Sequence, residues 1–240
     1  MNRYQRQIII PGWGEETQEK LRRAKVLVAG MGGLGCPAAL NLALAGIGHI
    51  SICDSDTVDI TNLNRQFLHF ERDLEQNKVD SAYATLASIN SETTFKPIHA
   101  EIDSNSVDDI VGDSQVILDC MDNFPARRAL NECSVRKGIP MIHGAIWGFE
   151  GRVTFLHPPK TPCLHCIFPT NTPSRSAIPV VGGVSCTMGS LQALEATKYL
   201  GRLGGLLANR MLILDCHGMH FQELEVTRNP QCPVCGHLEG

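Results

Sequence analysis

The chain has 240 residues, of which 43% are hydrophobic and 19% charged, and it carries a formal net charge of −4. These values are typical of a globular protein and exclude a disordered or fibrous chain. The slight excess of acids argues against binding to nucleic acid by bulk electrostatics and leaves only a local basic patch open. No apolar stretch of about 18 residues occurs, and residues 1–7 lack the apolar core of a signal peptide. We therefore expect a cytoplasmic protein without a nucleic-acid or membrane partner.

Strands and helices alternate through the first 145 residues, judged by hydrophobic periodicity and by Gly and Pro boundaries. This alternation predicts an α/β fold with a Rossmann-like, doubly wound and mostly parallel sheet. The predicted elements, in chain order, are helix 15–24, strand 25–29, helix 33–45, strand 50–53, helix 77–89, strand 94–99, helix 107–111, strand 115–119, helix 125–137 and strand 139–143.

The pattern changes after residue 150. We predict a strand at 152–156, a loop at 157–183 that is rich in proline, threonine and glycine, and a helix at 187–200. Two further strands, 211–215 and 221–226, precede the end of the chain. Because no polar linker separates the parts, the sequence predicts a single domain over 1–240, in which a nucleotide-binding core (25–145) carries a β-rich extension (146–240).

A glycine-rich loop follows the first strand of the core and opens the next helix. The second strand ends at Asp54, 19 residues after the last glycine of the loop. Glycines in this context let the backbone approach a phosphate, and the acid can bind ribose hydroxyls. The plainer alternative is a turn that only packs strand against helix. The loop glycines are Gly30, Gly32, Gly33 and Gly35.

Polar and charged residues at the following strand ends bear on which nucleotide is bound. NAD(P) is the default ligand of such a loop, but two cations and a free carboxylate suit a triphosphate with Mg²⁺ better. We therefore predict a site for a nucleoside triphosphate. Its further candidate residues are Asp56, Asn62, Arg65, Gln66, Lys78, Asp122 and Asn123.

Four of the ten cysteines form two CxxC pairs in the extension. Four thiolates complete a closed tetrahedral Zn²⁺ site, which leaves no position for water and therefore indicates a structural role. Redox-active or merely buried cysteine pairs are the alternative. The predicted zinc ligands, which would clip the end of the chain to the loop after residue 156, are Cys163, Cys166, Cys232 and Cys235.

Together these motifs resemble the ThiF/MoeB/HesA family of adenylyltransferases, bacterial relatives of ubiquitin-activating enzymes. The resemblance implies that a carboxylate is activated with ATP and Mg²⁺ as an acyl-adenylate. The carboxylate is commonly the C-terminal glycine of a small ubiquitin-like sulfur carrier. The matching segments are residues 3–7, 30–35, 54–58 and 62–66, Lys78, residues 120–123, the two CxxC pairs and residues 189–195.

The resemblance also implies roles for individual residues. Gly33 and Asp54 hold the nucleotide, Asp122 binds Mg²⁺, and Arg6 reaches the site of the neighbouring subunit in a homodimer. The side chains around the phosphates are Asn62, Arg65, Gln66 and Lys78. Pyrophosphate leaves with growing negative charge, which Arg65 and Lys78 neutralise.

No general base is needed, because a carboxylate is already ionised at neutral pH. The histidines are therefore expected to be structural or exposed rather than catalytic. The four considered are His69, His143, His217 and His220.

Family members that handle sulfur often carry a further cysteine after the first CxxC pair. Residues 168–179 contain none, and Arg175 stands about where the thiol would be. Cys186 lies nearby, but we interpret it as a small buried residue at the start of a helix. This departure leaves a small-molecule carboxylic acid open as the substrate, beside the leading hypothesis of a ubiquitin-like carrier. An NAD(P)-dependent oxidoreductase and a catalytically silent binding module are the weaker alternatives.

Overall fold

The computed structural model describes residues 2–170 and 179–239, and its main feature is one eight-stranded sheet. The strand order is β3-β2-β1-β4-β5-β6-β7-β8. Strands β1 to β5 are parallel and β6 to β8 are antiparallel. The predicted Rossmann-like, mostly parallel α/β fold is confirmed. The strands are β1 Lys25–Ala29, β2 His49–Asp54, β3 Thr94–His99, β4 Val116–Asp119, β5 Met141–Trp147, β6 Glu150–Leu156, β7 Arg210–Asp215 and β8 His220–Glu225.

Helices cover both faces of the sheet. Val26 and Val28 of β1 contribute to one apolar core, while Leu27 and Ala29 contribute to the other. Successive side chains of a strand point to opposite faces, so the continuous apolar run of β1 fills both cores. The helices are α1 Gln5–Ile8, α2 Gly14–Arg23, α3 Gly35–Ala45, α4 Lys78–Ile89, α5 Val107–Val111, α6 Phe124–Lys137, α7 Leu164–Ile167 and α8 Gly182–Gly201, with 3₁₀ turns at Ile60–Asn62 and Glu71–Asp73.

The strands of the predicted extension continue the same sheet. Strand β5 runs four residues further than predicted and turns at Gly148, whose φ is +61°, back into β6. A positive φ is readily adopted by glycine, which explains the tight reversal. Helix α8 packs against α3, so the last third of the chain covers one face of the parallel strands.

Helix α8 begins at Gly182, five residues before the predicted start at 187. Glycines at 182 and 183 indicate a loop when only local propensity is considered. The fold requires a glycine here, because a Cβ on Gly182 would lie 2.7 Å from the carbonyl oxygen of Asn64. Cys186 is therefore inside the helix rather than at its start, which corrects the prediction. Arg175 lies outside the described residues.

Within the two described ranges, we find no helix with both the length and the apolar character needed to cross a membrane.

Candidate active site

The glycine loop joins β1 to α3 in a conformation that side chains would block. Gly30 has φ +94°, and a Cβ on Gly35 would lie 1.7 Å from the carbonyl oxygen of Gly30. The Gly30 N–H donates to the carbonyl oxygen of Cys53 on the neighbouring strand, at 2.7 Å. The loop thus leads directly into the N-terminus of α3, where unpaired backbone N–H groups favour an anion.

Asp54 at the end of β2 is tied to this loop. Its Oδ2 accepts the Met31 N–H at 2.7 Å, and its Oδ1 accepts the Asp56 N–H at 2.8 Å. Burial raises the pKa of Asp54, while the charge of Lys78 and the two backbone donors oppose that rise. A carboxylate can accept about four hydrogen bonds, so Asp54 can still accept from a ribose hydroxyl. Its role in fixing the glycine loop was not predicted.

Cationic and amide side chains line the same loop. Lys78 is the first residue of α4, its side chain is 7% exposed, and its Nζ lies 2.7 Å from Oδ2 of the exposed Asp56. The Cδ of Arg65 lies 3.4 Å from the position that a Cβ on Gly33 would occupy. The structure therefore places Arg65 against the glycine loop and Lys78 beside Asp56, two residues after the Asp54 that binds the loop.

Gln66 is buried beside the loop, with its Nε2 3.6 Å from the position of a Cβ on Gly32. Among the described residues, its Oε1 is one of three buried side-chain polar atoms without a hydrogen-bond partner. Buried polar atoms are seldom left unpaired in a native protein, so the Oε1 is available for a ligand donor or a water molecule.

Three predicted site residues also maintain local structure. The Oδ1 of Asn62 accepts the Asp59 N–H, and an Nη1 of Arg65 donates to the carbonyl oxygen of Thr61 at 2.8 Å. The Oδ1 of Asn123 accepts the Ala126 N–H at 3.0 Å and thereby caps α6. The sequence signal for this cap, an Asn closely followed by proline, was present but was interpreted only as part of the site.

Asp122 lies in the turn after β4, on the same edge of the sheet as the glycine loop. A Cβ on Gly30 would be 2.8 Å from the carbonyl oxygen of Cys120 and 3.3 Å from the Sδ of Met121, so the turn packs directly on the loop. The Asp122 side chain is exposed, and its Oδ1 has a weak contact with Nδ2 of Asn123 at 3.4 Å. An exposed carboxylate beside a phosphate loop is chemically suited to Mg²⁺.

A buried charged network supports this turn. Asp119 is fully buried, its Oδ2 lies 2.6 Å from Nδ1 of His143, and its Oδ1 accepts the Met121 N–H at 3.1 Å. The Arg127 guanidinium donates to the carbonyl oxygen of Met121. Burial lowers the pKa of His143, against the opposing effect of Asp119. The network thus holds both the N–H and the carbonyl oxygen of Met121. It was not predicted from the sequence.

The histidines considered from the sequence fall into two groups. His69 and His143 are buried in hydrogen-bond networks, whereas His217 and His220 are exposed.

Arg6 lies far from this glycine loop. It is an exposed residue of α1, and the neighbouring Gln7 donates to the carbonyl oxygen of Ala45, at the far end of α3. Helix α3 has 11 residues, so its two ends are about 16 Å apart. The structure therefore does not bring Arg6 to the glycine loop.

The two CxxC pairs meet as predicted. Sulfur–sulfur distances are 3.8 Å for Cys163 and Cys166, 3.6 Å for Cys163 and Cys232, and 3.5 Å for Cys166 and Cys235. Tetrahedral coordination with Zn–S bonds of about 2.3 Å places sulfurs about 3.8 Å apart, so the four residues fit zinc. In the described part of the chain this is the single cluster suited to a metal. It links α7 to the segment after β8.

The fold and the edge cluster define a nucleotide-binding α/β enzyme, and comparison with known proteins names the family. The profile of the ThiF family matches residues 4–234. The chain belongs to the ThiF family and is an adenylyltransferase of the ThiF/MoeB type, which confirms the resemblance found in the sequence.

Relatives match the chain over nearly its full length. The SAMP-activating enzyme E1 of Haloferax volcanii is 39% identical over 242 residues, covering 98% of this chain and 89% of that protein. The molybdopterin-synthase adenylyltransferase of Salmonella typhimurium is also 39% identical and covers 98% and 96%. The crystal structure of E. coli MccB with ATP aligns with a TM-score of 0.88 at 26% identity, covering 98% of this chain and 75% of MccB.

Proposed function

We propose that the protein uses ATP to activate the C-terminal glycine of a ubiquitin-like sulfur carrier as an acyl-adenylate, with release of pyrophosphate. The observation that carries this proposal is the convergence of the glycine loop, Lys78 and Asp122 at one edge of the sheet. Relatives named for the activation of SAMP and for sulfur carrier adenylylation support it.

The reaction follows from the charges at this edge. An oxygen of the substrate carboxylate attacks the α-phosphorus, and the bond from that phosphorus to the bridging oxygen of the β-phosphate breaks. The leaving pyrophosphate gains negative charge, which Lys78 and Arg65 neutralise. Because Lys78 is almost completely shielded from water, its charge is screened less than that of an exposed lysine.

Asp122 would hold Mg²⁺, which supplies positive charge to the phosphate oxygens when bound. The choice of Asp122 over Asp54 rests on their hydrogen bonds. Both carboxylate oxygens of Asp54 already accept backbone N–H groups, whereas the exposed carboxylate of Asp122 has only its weak contact with Asn123.

An apolar surface at the same edge favours a protein substrate. The β5–β6 and β7–β8 turns both lie at the carboxyl edge of the parallel strands, and the ring centroids of Phe149 and His217 are 5.6 Å apart across them. Exposed apolar clusters of this kind are typical of protein docking sites. Their exposed side chains are Trp147 (44%), Phe149 (49%), Met219 (73%) and Phe221 (61%).

A small carboxylate is the second candidate substrate. Residues 168–179 lack the cysteine expected of sulfur-handling relatives, and the crystal structures of MccB include complexes with MccA. Such a cysteine is not needed if the enzyme releases the acyl-adenylate, or if the acyl group reacts further without transfer to a thiol of the enzyme.

We further propose a homodimer in which Arg6 serves the partner's site. Arg6 is exposed and distant from its own glycine loop, and it is followed by Ile9 and Ile10, which are 60% and 47% exposed. Apolar side chains beside an exposed cation suit an interface between two copies.

The reaction is tested by exchange of labelled pyrophosphate into ATP. Exchange should depend on a carboxylate, and a small β-grasp protein ending in Gly-Gly should support it at lower concentration than free small carboxylic acids. Exchange supported only by a small acid would select the second candidate. Hydride transfer from NADH without any exchange would refute the adenylyltransferase function.

Cys186→Ala should retain exchange within about threefold of the parent protein. Adenylate formation requires cations and a positioned carboxylate, whereas a thiolate is useful only in a later acyl transfer. Mass spectrometry after incubation with ATP, Mg²⁺ and the carrier should detect no adduct on this half-buried cysteine. An adduct on Cys186 that dithiothreitol releases would contradict the prediction and indicate a thioester step.

A further inference from the structure

A buried histidine lies under the glycine loop and has no role in the reaction described above. His69 is 4% exposed, and its Nε2 lies 3.0 Å from the carbonyl oxygen of Met31, between Gly30 and Gly32. Its Nδ1 lies 2.9 Å from the Oγ of Ser81 in α4. The imidazole therefore connects the loop to the helix that begins at Lys78.

The hydrogen atoms of this network can be assigned from its partners. A carbonyl oxygen only accepts, so Nε2 of His69 carries a hydrogen and donates it to Met31. Burial lowers the pKa of His69, and the charge of Lys78 acts in the same direction, against Asp54 and Asp73. The hydroxyl of Ser81, whose Oγ lies 2.9 Å from Nδ1, donates its hydrogen to a carboxylate oxygen of Asp73 at 2.9 Å, so Ser81 ties the imidazole to that acid.

The backbone N–H and the carbonyl oxygen of Met31 are consequently both held by hydrogen bonds. Its N–H donates to Asp54, and its carbonyl oxygen accepts from His69 and, more weakly, from the Sγ of Cys36 at 3.4 Å. Glycines flank Met31 on both sides, and glycine backbones lose the most conformational freedom on ordering. Bonds to this one residue therefore restrict the part of the loop that would otherwise be most mobile.

We propose that His69 is a positioning residue for nucleotide binding: its Nε2–H holds the Met31 carbonyl, and this bond preserves the shape of the glycine loop and its distance from Lys78. The inference rests on the proposed function, since it assumes that this loop binds ATP. It adds a residue that does not touch the nucleotide and acts through the loop.

Two amide substitutions separate the two nitrogen positions of the imidazole. The terminal amide nitrogen of Gln is four bonds from Cα, as is Nε2 of His, whereas that of Asn is three bonds away, as is Nδ1. His69→Gln should therefore keep the bond to Met31 and bind a non-hydrolysable ATP analogue within about threefold of the parent. His69→Asn should bind it at least about tenfold more weakly, in keeping with the loss of one buried hydrogen bond.

Calorimetric titration measures the affinities, and thermal unfolding shows whether the two variants fold equally well. His220→Asn, at an exposed position, is the matched control and should bind as the parent does. Equal affinities in the two His69 variants, whether unchanged or equally weakened, would overturn the proposal. A parent protein that does not bind the analogue would instead refute the proposed function.

Nitrogen-15 NMR of the imidazoles in the unmutated protein provides a test that does not depend on the folding of a variant. We expect Nε2 of His69 to carry a hydrogen at pH 7, and the Nε2 resonance to shift when the ATP analogue is added. An Nε2 that carries no hydrogen, or a resonance that does not respond to the bound analogue, would overturn the role of His69 even if ATP binds.

Discussion

Replacing Asp122 with Ala should lower carboxylate-dependent pyrophosphate exchange by about 100-fold or more, the scale of losing one preorganised charged contact in an active site. Its carboxylate is exposed at the turn after β4, and the turn packs against the glycine loop. The variant should fold normally, since the Asp122 side chain makes only one weak hydrogen bond. Exchange should recover in part at high Mg²⁺ if the lost interaction is metal binding.

Asp109→Ala is the matched control for this prediction. Asp109 is an exposed acid on α5, the helix that leads into the opposite end of β4. The Asp109→Ala substitution removes the same charge from the protein without changing the proposed site. Exchange should therefore stay within about twofold of the parent, as is usual for surface substitutions. If the two variants behave alike, Asp122 has no special part in activation.

Removing a zinc ligand should have the second large effect, on stability rather than on chemistry. The parent should contain about one Zn²⁺ per chain, and Cys232→Ser should lose it. The cluster links α7 to the segment after β8, so its loss should cost ~3 kcal/mol or more, by analogy with a disulfide cross-link. For a chain of this size, that corresponds to a fall of roughly 6–12 °C in the melting temperature.

Cys216→Ser is the control for the zinc prediction, because Cys216 is partly exposed and lies outside the cluster. It should keep the zinc and melt within a few degrees of the parent. Metal analysis and calorimetry measure both properties. If the parent protein keeps its melting temperature after its metal has been removed, the cysteine pairs do not hold a structural metal.

Much of the fold could be predicted because its signals are local in sequence. The apolar run at 25–29 and the glycines after it identify β1 and its loop whatever lies elsewhere in the chain, and the structure places them there. The spacing of Cys163 with Cys166 likewise fixes two sulfurs close together. Each of these signals depends on the backbone geometry of a few consecutive residues and can therefore be recognised from the sequence alone.

Contacts between distant segments could not be predicted. The Oδ2 of Asp54 accepts the N–H of Met31, and His69 lies against the carbonyl oxygen of the same residue, because the end of β1, the end of β2 and the segment before α4 are neighbours only in space. The early start of α8 has the same origin, since Gly182 lies against the carbonyl oxygen of Asn64. Local propensity is a weak guide where tertiary packing selects the conformation.

The sequence by itself determined the class of fold, the glycine loop and the two cysteine pairs, because strand periodicity, glycine spacing and CxxC spacing are properties of short segments. Only the tertiary structure decided how the loop is held, where α8 begins, and that Arg6 lies far from the glycine loop. Those outcomes depend on which strand ends and helix ends meet across the sheet, and hydrogen-bond partners are fixed only once the chain has packed.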